Sequence, residues 1–187
     1  MLMTAAGIAA AAPAIAAPQP AQLTPTFKDR DHPNGASGKT PACSIRFTEI
    51  VDGRRSPEVM GVIDRRAIYA PKDFQAWMEA VLGGLAARGV TARLEPDAAA
   101  APDIPSARLT LQIASIQSTV VTYSGSVVVK LQTEGGAGAP LDRSYRGRVA
   151  RTAYWSGGTD TLQSAIDGAF ADALNDMAVD LKALCAA

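Results

Sequence analysis

Hydrophobic and polar residues alternate along three successive stretches in the middle of the chain. Alternation with a period of two places one set of side chains on a buried face and the other set on a wetter face. The connections between the stretches are short and contain glycine, which favours hairpins. We therefore predict an antiparallel meander of three strands with one buried face. The strands are Arg108–Val121, Ser126–Glu134 and Ser144–Trp155, with Leu109, Leu111 and Ile113 on the buried side of the first.

Two other stretches carry apolar residues at helical spacing. The first runs from Pro71 to Arg88 and the second from Thr159 to Leu184, with apolar residues recurring mainly every three or four positions. This spacing places the apolar side chains on one stripe of a helix. Gly89 suits the left-handed residue that follows a helix. Five aspartates lie off the stripe of the second helix and predict a solvated face: Asp160, Asp167, Asp172, Asp176 and Asp180.

Shorter apolar stretches predict three further strands, at Cys43–Val51, Val59–Ile63 and Val90–Leu94. The polar segment after Ile63 and the residues leading to Pro71 receive no strand. A sheet with one buried face needs a cover, and the two helices supply it. The predicted fold is α+β, an antiparallel β-sheet with two amphipathic helices packed on one face, in the order β-β-α-β-β-β-β-α.

The N-terminal residues differ in composition from the rest of the chain. Residues 1–16 are apolar and rich in alanine, too short to span a bilayer, and end in small residues as a secretory signal does, although no Lys or Arg precedes the apolar run. Residues 17–42 are rich in Pro, Gly, Ser and charge, which predicts a disordered linker. We expect a signal peptide at 1–16, a linker at 17–42 and a single domain at 43–187, so that the mature chain has no transmembrane segment.

The charge is balanced overall but unevenly distributed. The formal net charge of the 187 residues is zero, which gives no electrostatic argument for nucleic acid. Residues 107–155 carry four more cations than anions, whereas residues 156–187 carry four more anions than cations. A basic sheet beside an acidic helix is explained most simply by internal charge complementarity.

Residues for catalysis are scarce. His32, the only histidine, lies in the predicted linker, so the sequence supports neither a Ser-His-Asp arrangement nor a histidine-rich metal site. The carboxylates Asp52, Glu58 and Asp64 lie among arginines, where ion pairing is the simpler explanation. We predict no catalytic residues, no metal and no cofactor, and a chain that is not an enzyme.

Two cysteines are too few for a zinc site but suit one disulfide. Cys43 and Cys185 lie at the two boundaries of the predicted domain, and an exported chain resides where thiols oxidise. We expect them to be bonded, which requires α-carbons within about 7 Å. Two separate buried thiols are the alternative.

A basic patch is the main candidate for binding. Strand patterning places four cations on the solvent side of the sheet, where they would hold an anionic partner such as a lipid headgroup. Ordinary solvent-facing arginines are the alternative. Two aromatic residues near Gly157 are further surface candidates. The candidate ligand-binding residues are Arg146, Arg148, Lys130, Arg46, Tyr154 and Trp155.

A short motif resembles one family of bacterial proteins. The run Ile50-Val51-Asp52-Gly53-Arg54, then Val59-Met60-Gly61, then a helix and a meander, looks like the YajG-type family of envelope lipoproteins. The resemblance covers Cys43 to Cys185 and marks Asp52, Arg54 and Gly61 as motif residues, with no enzymatic role. The chain lacks the lipobox of that family. The order of elements is also similar to the auxiliary lipoproteins of lipid-handling ABC transporters.

The sequence therefore predicts an exported, periplasmic or envelope-associated binding or assembly module of unknown ligand. The partner is expected to be another envelope protein or an anionic lipid. An auxiliary component of an envelope lipid-transport system is the alternative, and an unrecognised enzyme is a distant one.

Overall fold

The structure is a computed structural model, and it describes residues 19–30, 43–96, 104–119, 121–135, 139–152 and 158–186. Two sheets and two α-helices make up the fold, which confirms the predicted α+β class. The elements are β1 Ala21–Gln22, β2 Cys43–Asp52, β3 Val59–Ile63, β4 Arg66–Tyr69, α1 Phe74–Gly83, a short 3-10 helix Ala86–Arg88, β5 Val90–Leu94, β6 Ser106–Ser118, β7 Thr122–Glu134, β8 Asp142–Thr152 and α2 Thr159–Ala186.

The larger sheet has five strands in the order β5-β2-β6-β7-β8. β6, β7 and β8 form the predicted antiparallel meander. The prediction of a wholly antiparallel sheet is wrong, because β2 runs parallel to both β5 and β6. Between β2 and β5 the chain passes through a hairpin and α1. A connection of this length allows β5 to run in the same direction as β2.

A β-bulge in β6 corrects the predicted position of Ile113. Leu111 is opposite Val129, but the next pair is Ile113 with Val128, so β6 contains one extra residue there. A bulge of this kind turns the following side chains to the other face. Ile113 is accordingly 48% exposed and does not share the buried side with Leu109.

The smaller sheet has the order β1-β4-β3. β4 is absent from the sequence prediction, which assigned its residues to a polar segment and a helix approach. Asp64 and Arg65 connect β3 to β4 with φ values of 49° and 63°. A two-residue turn with both φ values positive is the type I′ hairpin, usually marked by Asn-Gly or Asp-Gly. This turn has Arg65 where glycine is usual, so the sequence does not show the usual pattern.

Both helices contribute to one core against the inward face of the large sheet. The ring of Trp77, predicted to be a core residue, lies edge-on to Phe170 with 5.2 Å between centroids. α1 begins three residues later than predicted, because the Asp73 side chain caps it by accepting a hydrogen bond of 2.9 Å from the Ala76 N–H. Gly89 has a φ of 81°, as expected of the residue that ends the helical segment.

Residues 19–30, here called the N-terminal arm, pack against the domain. Ala21 and Leu23 belong to the buried core, and β1 pairs in parallel with β4. Gln163 of α2 accepts from the Thr24 N–H at 3.1 Å and donates to the Thr26 carbonyl at 3.2 Å. For these twelve residues the expectation of a disordered linker is wrong, since burial and backbone hydrogen bonds hold the segment. The predicted signal peptide lies outside the described residues.

One of the five aspartates expected on a solvated face is buried. Asp167 is 2% exposed, and its carboxylate accepts from Gln163 Nε2 at 2.9 Å and from the Lys28 N–H at 3.2 Å. Burial raises the pKa of Asp167 to about 6, against the opposing effect of these hydrogen bonds. The arm covers this position, which the sequence pattern of α2 alone does not reveal.

Cys43 and Cys185 form a disulfide with 5.5 Å between their α-carbons, which confirms the predicted bond. It joins the first residue of β2 to the last turn of α2. Among the described residues, no helix is both long and apolar enough to cross a membrane.

Candidate functional site

The side of β6, β7 and β8 that points away from the helices is here called the β6–β8 face. Inward residues of β7 such as Val127 and Val129 are buried, and their neighbours point outward. Cross-strand partners share a face, so the register defines rows across the three strands. The rows are Thr110–Lys130–Ser144, Ile113–Val128–Arg146 and Ser115–Ser126–Arg148.

Arg146 and Arg148 occupy successive outward positions on β8. Both are exposed, and neither guanidinium group makes a hydrogen bond or ion pair with any residue that the structure describes. The Arg148 backbone N–H is used, because it donates to the Asp172 carboxylate at 3.1 Å. Arginine presents several donors in a planar fork that matches phosphate and carboxylate groups. These two side chains are therefore free to bind an anion.

Lys130 lies on the same face but already has a partner. Its ammonium group is 2.9 Å from the Asp142 carboxylate. The hydrogen bond from Lys130 lowers the pKa of Asp142 below its ordinary value of 3.8. Solvent-exposed pairs of this kind are weak, but the Asp142 carboxylate balances the charge of Lys130, whereas no such partner balances Arg146 among the described residues.

The structure does not bring Arg46 together with these residues. Arg46 is on β2, three strand steps from β8, a separation of about 14 Å at the usual spacing between strands. It is 6% exposed. The predicted patch of four cations is therefore reduced to three. The aromatic candidates Tyr154 and Trp155 lie outside the described residues.

The motif residues Asp52 and Arg54 form a clamp at the end of β2. The Asp52 carboxylate accepts from Arg54 Nε at 2.7 Å, from Nη2 at 2.6 Å and from the Arg54 backbone N–H at 3.2 Å. Burial acts to raise the pKa of Asp52, but the hydrogen bonds and charge of Arg54 lower it overall. Asp52 is therefore an ion-paired carboxylate, as expected, and is unsuited to act as a general acid.

Aromatic rings hold the Arg54 side chain, which is 5% exposed. Its guanidinium carbon lies 5.8 Å from the ring centroid of Phe74 and 5.6 Å from that of Trp77, both in α1. Cation–π contacts at this distance are stabilising when the cation is desolvated. The clamp thus fastens the end of β2 to the first helix.

A cavity of about 550 Å³ adjoins the clamp and contains both charge signs in its lining. Among its lining residues are Pro20, Gln22, Asp52, Arg54, Tyr69 and Phe74. The third motif residue, Gly61, is elsewhere: a Cβ atom there would overlap the carbonyl group of Ile116 in β6. Close packing against β6 explains the glycine at position 61. In the described part of the chain, no group of three or more His, Cys, Asp or Glu residues is arranged to hold a metal ion.

Sequence reasoning missed Ile113 as a member of the β6–β8 face. The one signal was the succession of two apolar residues, Ile113 and Ala114, which interrupts the alternation of β6. Without the partner strand, this interruption does not reveal which residue is the extra one.

No family model matches the chain, and no curated protein matches it. Several solved structures are similar at low identity. A protein from Xanthomonas campestris is 10% identical over 87% of this chain and 93% of that chain, with a TM-score of 0.46. The minor lipoprotein from Acinetobacter baumannii is 12% identical over 75% and 92%, with a TM-score of 0.40, and the rare lipoprotein B from Shewanella oneidensis is 12% identical over 72% and 93%, with a TM-score of 0.39. Similarities of this size support no statement about family or function.

Proposed function

We propose that the protein is an exported, non-enzymatic module of the cell envelope that binds an anionic group on its β6–β8 face. The observation that carries the proposal is the pair Arg146 and Arg148, exposed on one side of one strand and without a side-chain partner among the described residues. Two neighbouring guanidinium groups offer a phosphate or carboxylate several charge-assisted hydrogen bonds.

Other cations of this face differ from that pair. Arg108 is 2.9 Å from the Glu49 carboxylate, and Lys130 is 2.9 Å from Asp142. Their charges are balanced within the sheet, whereas those of Arg146 and Arg148 are not. An anion is therefore expected to bind at the β8 side of the face.

The N-terminal composition and the disulfide support an envelope location. An apolar, alanine-rich start is typical of exported proteins, and disulfides such as Cys43–Cys185 persist in oxidising compartments. The periplasm is the compartment that fits both. A narrower form of the proposal is an auxiliary role in lipid transport, in which a lipid headgroup supplies the anion.

Inorganic pyrophosphate is a suitable soluble probe. In amide NMR spectra of the protein at low salt, we expect pyrophosphate to shift signals in residues 144–150. The double variant Arg146→Ser, Arg148→Ser should weaken binding by roughly tenfold or more, since each charge-assisted contact contributes about 1.5–3 kcal/mol. The melting temperature should remain nearly unchanged.

Arg108→Ser is the matched control, because it removes an exposed cation of the same face that is already paired. It should leave pyrophosphate binding almost unchanged. Equal binding by the double variant, or a fall of many degrees in its melting temperature, would contradict the proposal, the latter because the two arginines would then be structural.

A further inference from the structure

We infer that the β6–β8 face docks on the surface of an anionic lipid bilayer, with Ile113 entering the interfacial region. The inference rests on the proposed function, because Arg146 and Arg148 would contact the headgroup phosphates. It adds an apolar contact and a planar partner to that function.

Ile113 is the residue for which we infer contact with the apolar part of the bilayer. The bulge in β6 turns it to the outward side, opposite Val128, and Val128 is opposite Arg146. One row across the face therefore joins an isoleucine that is 48% exposed, a half-buried valine and an exposed arginine. Removal of exposed aliphatic surface from water is favourable in proportion to its area. A soluble anion would contact only the arginine of this row and would leave the isoleucine exposed to water.

The face is long and open. β6 and β7 have 13 residues each and β8 has 11, so the meander extends for about 40 Å along its strands. An open antiparallel meander of this length presents a broad surface and does not enclose a single lipid. A cavity of about 590 Å³ lies at the far end of the strands, but Glu49 and Asp142 in its lining neutralise Arg108 and Lys130, and Glu134 adds a negative charge, so it does not attract an anionic headgroup.

The distribution of charge favours one orientation. Asp172 and Asp176 are exposed on α2, in the layer behind the sheet, while the exposed cations Arg146 and Arg148 are on the outward side. The other outward cations, Arg108 and Lys130, are balanced by Glu49 and Asp142. An anionic surface attracts the outward side and repels the helix side. Each cation near such a surface strengthens binding by roughly fivefold, and aliphatic side chains at the interface add to that attraction.

Vesicle binding tests the inference in the protein without the predicted signal peptide 1–16, because that apolar segment would itself enter vesicles. Sedimentation is measured with vesicles of phosphatidylethanolamine and phosphatidylglycerol at 3:1, and with vesicles of phosphatidylcholine. We expect binding to the first and none to the second. Ile113→Thr, which keeps the β-branched side chain, should weaken vesicle binding by roughly fivefold through loss of apolar contact. The same variant should bind pyrophosphate as the parent protein does.

Val179→Thr is the control for an exposed aliphatic residue elsewhere, since Val179 is 62% exposed on α2. It should leave vesicle binding unchanged. Equal vesicle binding by Ile113→Thr and the parent would overturn the bilayer inference while leaving anion binding intact. Pyrophosphate binding without vesicle binding would have the same meaning and would indicate a soluble anion.

Two further outcomes would overturn the inference on other grounds. Binding of poly-L-glutamate with the same dependence on Ile113 would overturn the inference in favour of an acidic protein partner. Pyrophosphate binding that is absent or insensitive to Arg146 and Arg148 would overturn the proposed function, and the bilayer inference with it.

Discussion

The carbonyl oxygen of Ala169 in α2 occupies the space that a Cβ atom on Gly147 of β8 would need. The same relationship holds on β7, where a Cβ on Gly125 would overlap the carbonyl of Ala165. Two glycines on neighbouring strands thus let the helix backbone lie directly on the sheet. The helix contributes small residues at this contact, and Ala165, Ala169 and Ala173 are all buried.

Gly147→Ala should therefore lower the free energy of unfolding by about 2–3 kcal/mol, the usual cost of forcing extra atoms into a packed core. Denaturant unfolding measures the change. Gly83→Ala is the matched control: Gly83 is the last residue of α1, and an added Cβ meets nothing within 4 Å. Alanine there should be neutral or slightly stabilising. Similar effects at both positions would mean that α2 is not held by close contact.

The N-terminal arm is anchored by a buried ion pair. Arg88 donates to the Asp29 carboxylate, and the two side chains are 4% and 7% exposed. Arg88 also donates to the carbonyl of Ala171 at 3.1 Å and to the Asn175 side chain at 2.7 Å. The guanidinium group thus links the arm to α2.

Asp29→Ala should destabilise the protein by about 3–5 kcal/mol, because it leaves the Arg88 charge buried without its carboxylate partner. Thermal unfolding and the rate of proteolysis within residues 19–30 would both report the change. Lys28→Ala is the control, since Lys28 contacts Asp167 through its backbone N–H and its side chain is exposed. If Asp29→Ala leaves proteolysis of the arm unchanged, the ion pair does not hold it.

Alternation and helical spacing were sufficient to predict the meander and both helices, and the number and positions of the cysteines predicted the disulfide. These features depend on patterns within a single element, such as the stripe from Leu162 to Leu184, or on export chemistry. The features that sequence did not predict depend on a second element. Ile113 faces outward because β7 fixes the register of the bulge, and Asp167 is buried because the arm lies over it.

The candidate site was predictable only in part. Arg146 and Arg148 share one side of a strand by period two alone, and the structure places them so. Whether a cation has a partner is not visible in the sequence: Asp142, twelve residues after Lys130, pairs with it across a hairpin. The distance from Arg46 to β8 depends on strand order, which the assumption of a wholly antiparallel sheet obscured.

The turn between β3 and β4 offers a test of backbone strain. Arg65 adopts a φ of 63°, in the left-handed region that disfavours residues with a Cβ atom. Arg65→Gly should raise the free energy of unfolding by about 0.5–1 kcal/mol, since glycine adopts this conformation without a steric penalty. Arg55→Gly, in the connection between β2 and β3, is the comparison and should give no such gain. A loss of stability in Arg65→Gly would show that the arginine side chain stabilises the turn more than its backbone strains it.

Asp167 gives the protein a defined pH dependence. Its pKa is raised from 3.8 to about 6 in the folded state, so between these values the folded chain binds more protons than the unfolded chain. The free energy of unfolding should therefore rise by about 1 kcal/mol as the pH falls from 7 to 5, and this gain is lost again as the pH rises through 6. Asp52 and Asp142, whose pKa values are lowered, act in the opposite direction, and their contribution is lost mainly as the pH falls through and below their ordinary value of 3.8. Denaturant unfolding at pH 5 and pH 7 measures the difference. Asp167→Asn should remove it, since an amide does not titrate, and a difference that persists in this variant would place the titrating group elsewhere.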